Sequence, residues 1–199
     1  FEETQARKLV AEGDAVVGVE ASAATGTLAF RAPMTIDATG RDAFAAHRYG
    51  WRVPDPQLKK LAIWTYYRGA KRDAGVDEGA TTVAYVPNKG WFWYIPLADD
   101  VISVGVVAEP DYLYRDGKSD PDAIFAREVE IQRWIQDHVA SGEKVAPCRV
   151  TGDYSYRSRH CASNGLVLVG DAFGFLDPVF SSGVFLALHT GVMAADAVH

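Results

Sequence analysis

The run Gly165-Leu166-Val167-Leu168-Val169, closed by Gly170-Asp171-Ala172, most limits what this chain can fold into. It is uncharged, bounded by glycine and too short for a core helix, so it reads as a strand buried on both faces. Such strands belong to sheets covered by helices, which makes the fold class α/β, with mixed α+β character elsewhere. Asp171 stands just beyond the strand's carboxyl end, where open α/β sheets bind ligands. It is a candidate to accept hydrogen bonds from sugar or polyol hydroxyls; the competing structural reading is an aspartate that caps the next turn.

The segment after it, Phe173-Gly174-Phe175-Leu176-Asp177-Pro178-Val179-Phe180, is a loop that enters a helix at Ser181-Ser182-Gly183-Val184. Both serines suit an N-cap, Gly183 permits close approach to the backbone, and the first amides of the helix suit an anionic group. Ala187, Gly191, Ala194, Ala195 and Ala197 give that helix small side chains for close packing on a sheet or cofactor.

Upstream, residues 1–12 read as the end of a helix, with Ala6, Leu9 and Val10 on one side and Gly13 as its stop. Residues 15–21 and 27–32 form a hairpin, and an apolar strand at 34–36 runs into Asp37-Ala38-Thr39-Gly40-Arg41. From residue 61 the character changes. The runs 61–67, 81–87, 90–96 and 101–108 are aromatic and β-branched with Asp/Gly turns, which predicts an antiparallel sheet. Asp120-Pro121 then caps a helix of about five turns closed near Gly142, and 150–157 alternates as a strand.

A net charge of −6 disfavours a nucleic-acid partner, because phosphate binding needs a basic surface. Cys148 and Cys161 form no CxxC, and His47, His138, His160, His189 and His199 lack ligand spacing, so no protein-borne metal is expected. No uncharged apolar stretch is long enough for a membrane span, and a reducing cytoplasm fits the two cysteines. The non-Met start and the helix running into His199 suggest that both ends are cut.

Gly170-Asp171-Ala172, with Asp177-Pro178 and Ser182-Gly183, resembles the second FAD-binding motif of the FAD-dependent monooxygenase superfamily. The resemblance implies that Asp171 binds the ribityl chain and that Pro178, Gly183 and Val184 lie against the flavin ring. Asp37, Thr39 and Gly40 resemble the segment that reaches the FAD from the other side.

Trp91-Phe92-Trp93-Tyr94-Ile95-Pro96 is the most specific motif. Period two puts Trp91, Trp93 and Ile95 on one face of a strand and Phe92 and Tyr94 on the other. An aromatic core face would explain it alone. With the flavin motif it resembles the flavin-dependent halogenases, in which W-x-W-x-I-P lies beside the passage between flavin and substrate. Phe175, Pro178, Ser181 and Gly183 resemble the loop of that family whose Ser/Thr-Gly amides hold chloride, here Ser182 and Gly183. Phe180 stands where halogenases of free tryptophan carry a glutamate, so the similarity points to phenolic, pyrrolic or carrier-tethered substrates of antibiotic pathways.

The resemblance implies an incomplete three-layer FAD-binding domain, 1–50 and 161–199, with an inserted antiparallel-sheet substrate domain, 51–160. It also implies a separate flavin reductase that delivers reduced FAD, chloride or bromide as co-substrate, and chemistry through a flavin hydroperoxide and hypochlorous acid. Neither Lys59, Lys60 nor Lys71 matches the catalytic lysine of the family, which is expected, like the G-x-G-x-x-G fingerprint, before Phe1. The 199 residues alone are therefore expected to bind FAD weakly or not at all and to be inactive. Rival readings are a hydroxylase or a geranylgeranyl-reductase-like flavoprotein and, from another class, a non-catalytic binding module built on the aromatic sheet.

Overall fold

The structure, a computed structural model, describes residues 1–86, 90–152 and 155–199. Two units divide the chain, one made of Phe1–Asp55 with Ser155–His199 and the other of Pro56–Tyr154.

The first unit opens with a meander of β1 (Gln5–Glu12), β2 (Ala15–Ala23) and β3 (Gly26–Arg31). Residues 5–12 are therefore a strand and not the end of a helix. A bulge explains the misreading: Ala6 pairs Ala21 while Lys8 pairs Glu20, so Arg7 is an extra residue. That insertion shifts the two-residue alternation and leaves Ala6 and Leu9 three apart, a spacing that mimics a helix. Gly13 turns the hairpin into β2, pairing Glu12 with Ala15. Next come β4 (Thr35–Asp37), a 3-10 turn at Gly40–Asp42, α1 (Phe44–Arg48) and β5 (Arg52–Pro54).

The second unit is an antiparallel sheet in the order β10-β6-β9-β8-β7, with β11 also on β6. Its strands are β6 (Leu61–Arg68), β7 (Thr82–Val86), β8 (Gly90–Pro96), β9 (Val101–Ala108), β10 (Glu143–Lys144) and β11 (Arg149–Gly152). Strands β6 to β9 match the expected sheet, apart from Pro87, which lies outside the described residues, and β10 and β11 add to it on β6. Three helices accompany the sheet: α2 (Pro110–Leu113), α3 (Pro121–Ile131) and α4 (Arg133–Val139). Ile63, Phe92, Tyr94, Val104 and Val106 pack on Ile124, Phe125, Val129, Ile135 and Val139, burying one sheet face against α3 and α4.

The single five-turn helix expected after Asp120 is in fact these two helices. Gln132 breaks it at φ −95°, ψ 95°, and its side-chain oxygen accepts from the Trp134 and Ile135 amides at 2.8 and 3.1 Å. A side-chain acceptor thus starts a second helix where apolar spacing alone runs on. Asp120 caps α3 as expected, accepting from the Asp122 and Ala123 amides.

The chain then returns to the first unit through β12 (Tyr156–Ser158), β13 (Ala162–Ser163), β14 (Leu166–Leu168), β15 (Gly174–Phe175) and α5 (Gly183–Val198). The strand expected over 150–157 is two strands in different sheets, β11 on β6 and β12 on β5; Asp153 and Tyr154 lie outside the described residues. Because β12 pairs β5, residues 52–54 and 156–158 belong to the first unit, which sets the crossings at 55/56 and 154/155. Strand β14 runs parallel to β4 and has Leu166 fully buried and Leu168 nearly so. Gly165 permits that placement: at φ 72°, any side chain would collide with the Val16 carbonyl of β2.

Candidate functional site

The parallel pair β4 and β14 ends at Asp37 and Leu168, which bring the two expected ligand turns to one edge of the first unit. Both turns carry an aspartate, and their surroundings separate them.

Asp37 is 4% exposed. Its Oδ1 accepts from the Thr39 amide at 3.0 Å and the Thr39 hydroxyl at 2.7 Å, and its Oδ2 accepts from the Ala45 amide at 2.7 Å. Thr39 Oγ1 in turn accepts from the Phe44 amide at 2.9 Å. Through these bonds Asp37 and Thr39, two of the expected cofactor contacts, hold α1 on β4. Gly40 of the same turn does line a cavity, and so does Ala38, which was not anticipated.

Asp171 is half-buried on a 3-10 turn, Gly170–Ala172, and among the described residues its carboxylate accepts no hydrogen bond. It lines two cavities, of about 280 and 410 Å³, that also share Gly183 and Val184. Burial pushes its carboxyl pKa up, and the Arg41 charge draws it partly back down. A carboxylate with unused acceptor capacity facing a cavity can take hydroxyl protons from a polyol.

Around Asp171, the smaller cavity is walled by Phe175, Pro178, Ser181, Ser182 and Leu186. The larger one runs along Gly40, Val169, Gly170 and Ala187. Ala172 is fully buried and lines neither. Gly170 is required where it stands: at φ 55°, a Cβ would fall 3.1 Å from Ala187 Cβ, so the turn and α5 meet without side chains between them. Of the expected small residues on α5, Ala187 makes this contact and Ala194 is buried, whereas a Cβ on Gly191 would meet nothing within 4 Å.

Neither serine caps α5 with its side chain. Ser181 adopts φ 51° and Ser182 takes the position before the helix with no side-chain hydrogen bond. The first backbone bond of the helix runs from the Leu186 amide to the Ser182 carbonyl. The amides of Gly183, Val184 and Phe185 therefore lack intrahelical acceptors, and two of those residues form the cavity wall. An uncommitted carboxylate, uncapped helix amides and a backbone bared by glycine fit the polyol and ring edge of a flavin.

In the second unit, Trp91, Trp93 and Ile95 share the sheet face away from α3 and α4, while Phe92 and Tyr94 are buried beneath those helices, as the alternation predicts. The ring centroids of Trp91 and Trp93 are 5.9 Å apart, and Trp64 lies 6.4 Å from Trp93. The Trp93 indole donates to Ser103 Oγ at 3.0 Å. Pairing of Trp93 with Gly105, and of Gly105 with Trp64, sets these residues in one row across three strands. Trp64, Ser103 and Gly105 were not anticipated, because cross-strand register is not written in the local sequence. Pro96 ends β8, and Phe180, in the first unit, is 89% exposed.

No group of three or more His, Cys, Asp or Glu side chains suited to a metal occurs among the described residues. No helix among them is long and apolar enough to cross a membrane.

Comparison with known proteins places these features in a family. A protein-family model described as tryptophan halogenase matches residues 29–196. The chain is 32% identical over 170 residues to the 1H-pyrrole-2-carbonyl-(peptidyl-carrier protein) brominase of Pseudoalteromonas luteoviolacea, covering 84% of this chain and 42% of that protein. It is 36% identical over 178 residues to the tryptophan 2-halogenase of Chondromyces crocatus, covering 87% and 33%. Among solved structures, the myxobacterial chondrochloren halogenase, an FAD-dependent halogenase, matches with a TM-score of 0.86 at 32% identity, covering 96% of this chain and 45% of that one. The chain thus spans less than half the length of these relatives. It belongs to the flavin-dependent halogenases of the tryptophan-halogenase family.

Proposed function

We propose that the protein carrying this chain is an FAD-dependent halogenase of electron-rich phenolic, pyrrolic or carrier-tethered substrates, and that these residues form the ring and halide end of its flavin site. The observation that carries the reading is the pairing of an unused carboxylate, Asp171, with the uncapped first turn of α5 at the same two cavities. The flavin, when bound, supplies the oxygen activation and the oxidation of halide to an electrophile.

This chain's own residues bind and orient. Asp171 accepts from the ribityl hydroxyls, and Gly170, Pro178 and Val184 shape the wall on which the ring rests. The Ser182 and Gly183 backbone holds chloride or bromide, with helix amides aimed at negative charge before any reaction begins. Trp91, Trp93, Ile95 and Pro96 line the passage to substrate and keep it dry.

Relatives include pyrrolyl-carrier brominases and chlorinases, a sulochrin halogenase and a tryptophan 2-halogenase, so halide and substrate both vary among them. Phe180, in place of a glutamate, is the feature that favours a phenolic or pyrrolic ring over free tryptophan. A flavin reductase provides the electrons, and two free cysteines suit a reducing cytoplasm. Mass spectrometry of the product formed by the full protein with FAD, a reductase and chloride or bromide tests the reading. A product bearing halogen supports it; one that is oxygenated or reduced without halogen overturns it.

A further inference from the structure

The turn that carries Asp171 is tied from two sides. The Gly170 amide donates to Thr190 Oγ1 at 2.8 Å, and that hydroxyl donates to the Leu186 carbonyl at 2.7 Å. The Tyr156 hydroxyl donates to the Asp171 carbonyl at 2.7 Å. The amide that enters the Gly170–Asp171 dipeptide is thereby fixed to α5, and the carbonyl that leaves it to β12. Between these ties the Asp171 carboxylate accepts no hydrogen bond among the described residues.

Tyr156 is itself held firmly. It is 4% exposed, it pairs with Phe175 in register, and the Arg52 guanidinium lies 4.0 Å from its ring centroid. Burial pushes its phenol pKa up, more than Arg52 pulls it down, so the hydroxyl keeps its proton and acts as donor. Thr190 sits one turn beyond Leu186 and Ala187, which line the cavities together with Gly183 and Val184 of the same helix. Neither Tyr156 nor Thr190 lines either cavity, and the Gly170–Asp171 turn is the cavity-lining segment that both of them hold.

We propose that Tyr156 and Thr190 are positioning residues, which hold the Gly170–Asp171 dipeptide so that the Asp171 carboxylate points at the hydroxyl chain of a bound flavin. This rests on the flavin reading above and deepens it. An aspartate side chain has few torsions, so the direction of its oxygens follows the backbone, and a fixed backbone spares the ordering that binding would otherwise require.

The test is FAD affinity of the full protein, followed by flavin fluorescence at a temperature where circular dichroism shows each apo variant folded. Tyr156→Phe and Thr190→Val should each raise the FAD Kd about 3- to 10-fold, the effect of one lost intramolecular hydrogen bond. Thr190→Ser, which keeps the hydroxyl, should restore it. In an Asp171→Ala background, which removes the acceptor altogether, Tyr156→Phe should add less than about 2-fold, because a residue acting through Asp171 has nothing left to aim. A purely structural tie would lower the apo melting temperature and leave these Kd ratios at one. The inference fails if Tyr156→Phe and Thr190→Val bind FAD like the parent while Asp171→Ala is weakened, or if the Tyr156→Phe penalty persists in full beside Asp171→Ala. Parent-like FAD binding by Asp171→Ala overturns the flavin reading and this inference with it. Should Tyr156→Phe not fold, Thr190→Val against Thr190→Ser decides the same question.

Discussion

Trp93 lies across Gly105: a Cβ built on that glycine would fall 2.6 Å from Cε2 of the indole. The neighbouring strand therefore supplies the space that lets Trp93 rest against the sheet with its N–H on Ser103. Gly105→Ala should force the ring off this seat at a cost of about 1–3 kcal/mol, the usual penalty for overpacking. Urea denaturation would read the loss, and a shifted tryptophan emission spectrum would separate ring displacement from general loosening. Unchanged emission with unchanged stability would mean that the indole does not depend on the bare backbone.

The sheet around Trp93 was readable because its strands are aromatic, β-branched and separated by turns, so local pattern and tertiary placement agree. The row joining Trp64, Gly105 and Trp93 was not, because register joins residues far apart in sequence. Strand β1 was misread because a bulge at Arg7 turned a two-residue period into a three-residue one. The expected helix after Asp120 missed its break because Gln132 is a good helix former whose side chain here serves as a cap. Likewise, Asp37 and Asp171 are alike in sequence, each following a short apolar strand, and only their hydrogen bonds distinguish a carboxylate tied into its own turn from one that lines a cavity with its acceptors unused.

Glu128, whose side chain is fully buried, makes a second test, in the unit formed by Pro56–Tyr154. It accepts from Tyr112 at 2.9 Å and pairs with Arg115 at 2.7 Å and Arg127 at 2.8 Å. Arg127 also donates to the Leu113 carbonyl at 2.7 Å, so the carboxylate ties α2 and the following loop to α3. Glu128→Ala removes the carboxylate shared by Arg115 and Arg127, of which Arg127 keeps Asp116, and should cost about 1–3 kcal/mol in denaturant melts, the range for losing charged hydrogen bonds. A loss below about 1 kcal/mol would show that the network is replaceable by water.

The two cysteines should differ sharply in reactivity. Cys161 is exposed, while burial, then the Asp122 carboxylate beside it, push the Cys148 thiol up to about 12. Lys144 pairs with the same Asp122 and holds that carboxyl below its usual range. At pH 8, iodoacetamide should label Cys161 first and Cys148 only slowly, since the thiolate is the reactive form. Asp122→Asn should speed Cys148 labelling by removing one of the two causes. The raised Cys148 pKa contributes stability that is present below pH 9 and is lost as pH rises toward 12, because the unfolded chain releases its thiol proton first. Alkaline melts of the parent and Cys148→Ala should therefore converge across that interval.

The contrast between Asp37 and Asp171 gives the sharpest prediction about the proposed site. Asp37→Ala strips the acceptor from the Thr39 and Ala45 amides and should destabilise the fold by roughly 3 kcal/mol, since buried donors left unpaired cost ~1–3 kcal/mol each. Asp171→Asn removes no hydrogen bond accepted by that carboxylate and should leave the melting temperature nearly unchanged while weakening FAD binding. The pH dependence follows from the same geometry. In the proposed site a flavin hydroxyl would donate to the ionised carboxylate, and burial lifts the Asp171 pKa above the ordinary value, with Arg41 only partly opposing it. As pH falls, FAD affinity should therefore begin to drop at a higher pH than an exposed aspartate would dictate, and the drop should vanish in Asp171→Asn. Titrating FAD Kd between pH 4 and 7 on the full protein checks this; an identical profile in parent and variant would remove Asp171 from the binding site.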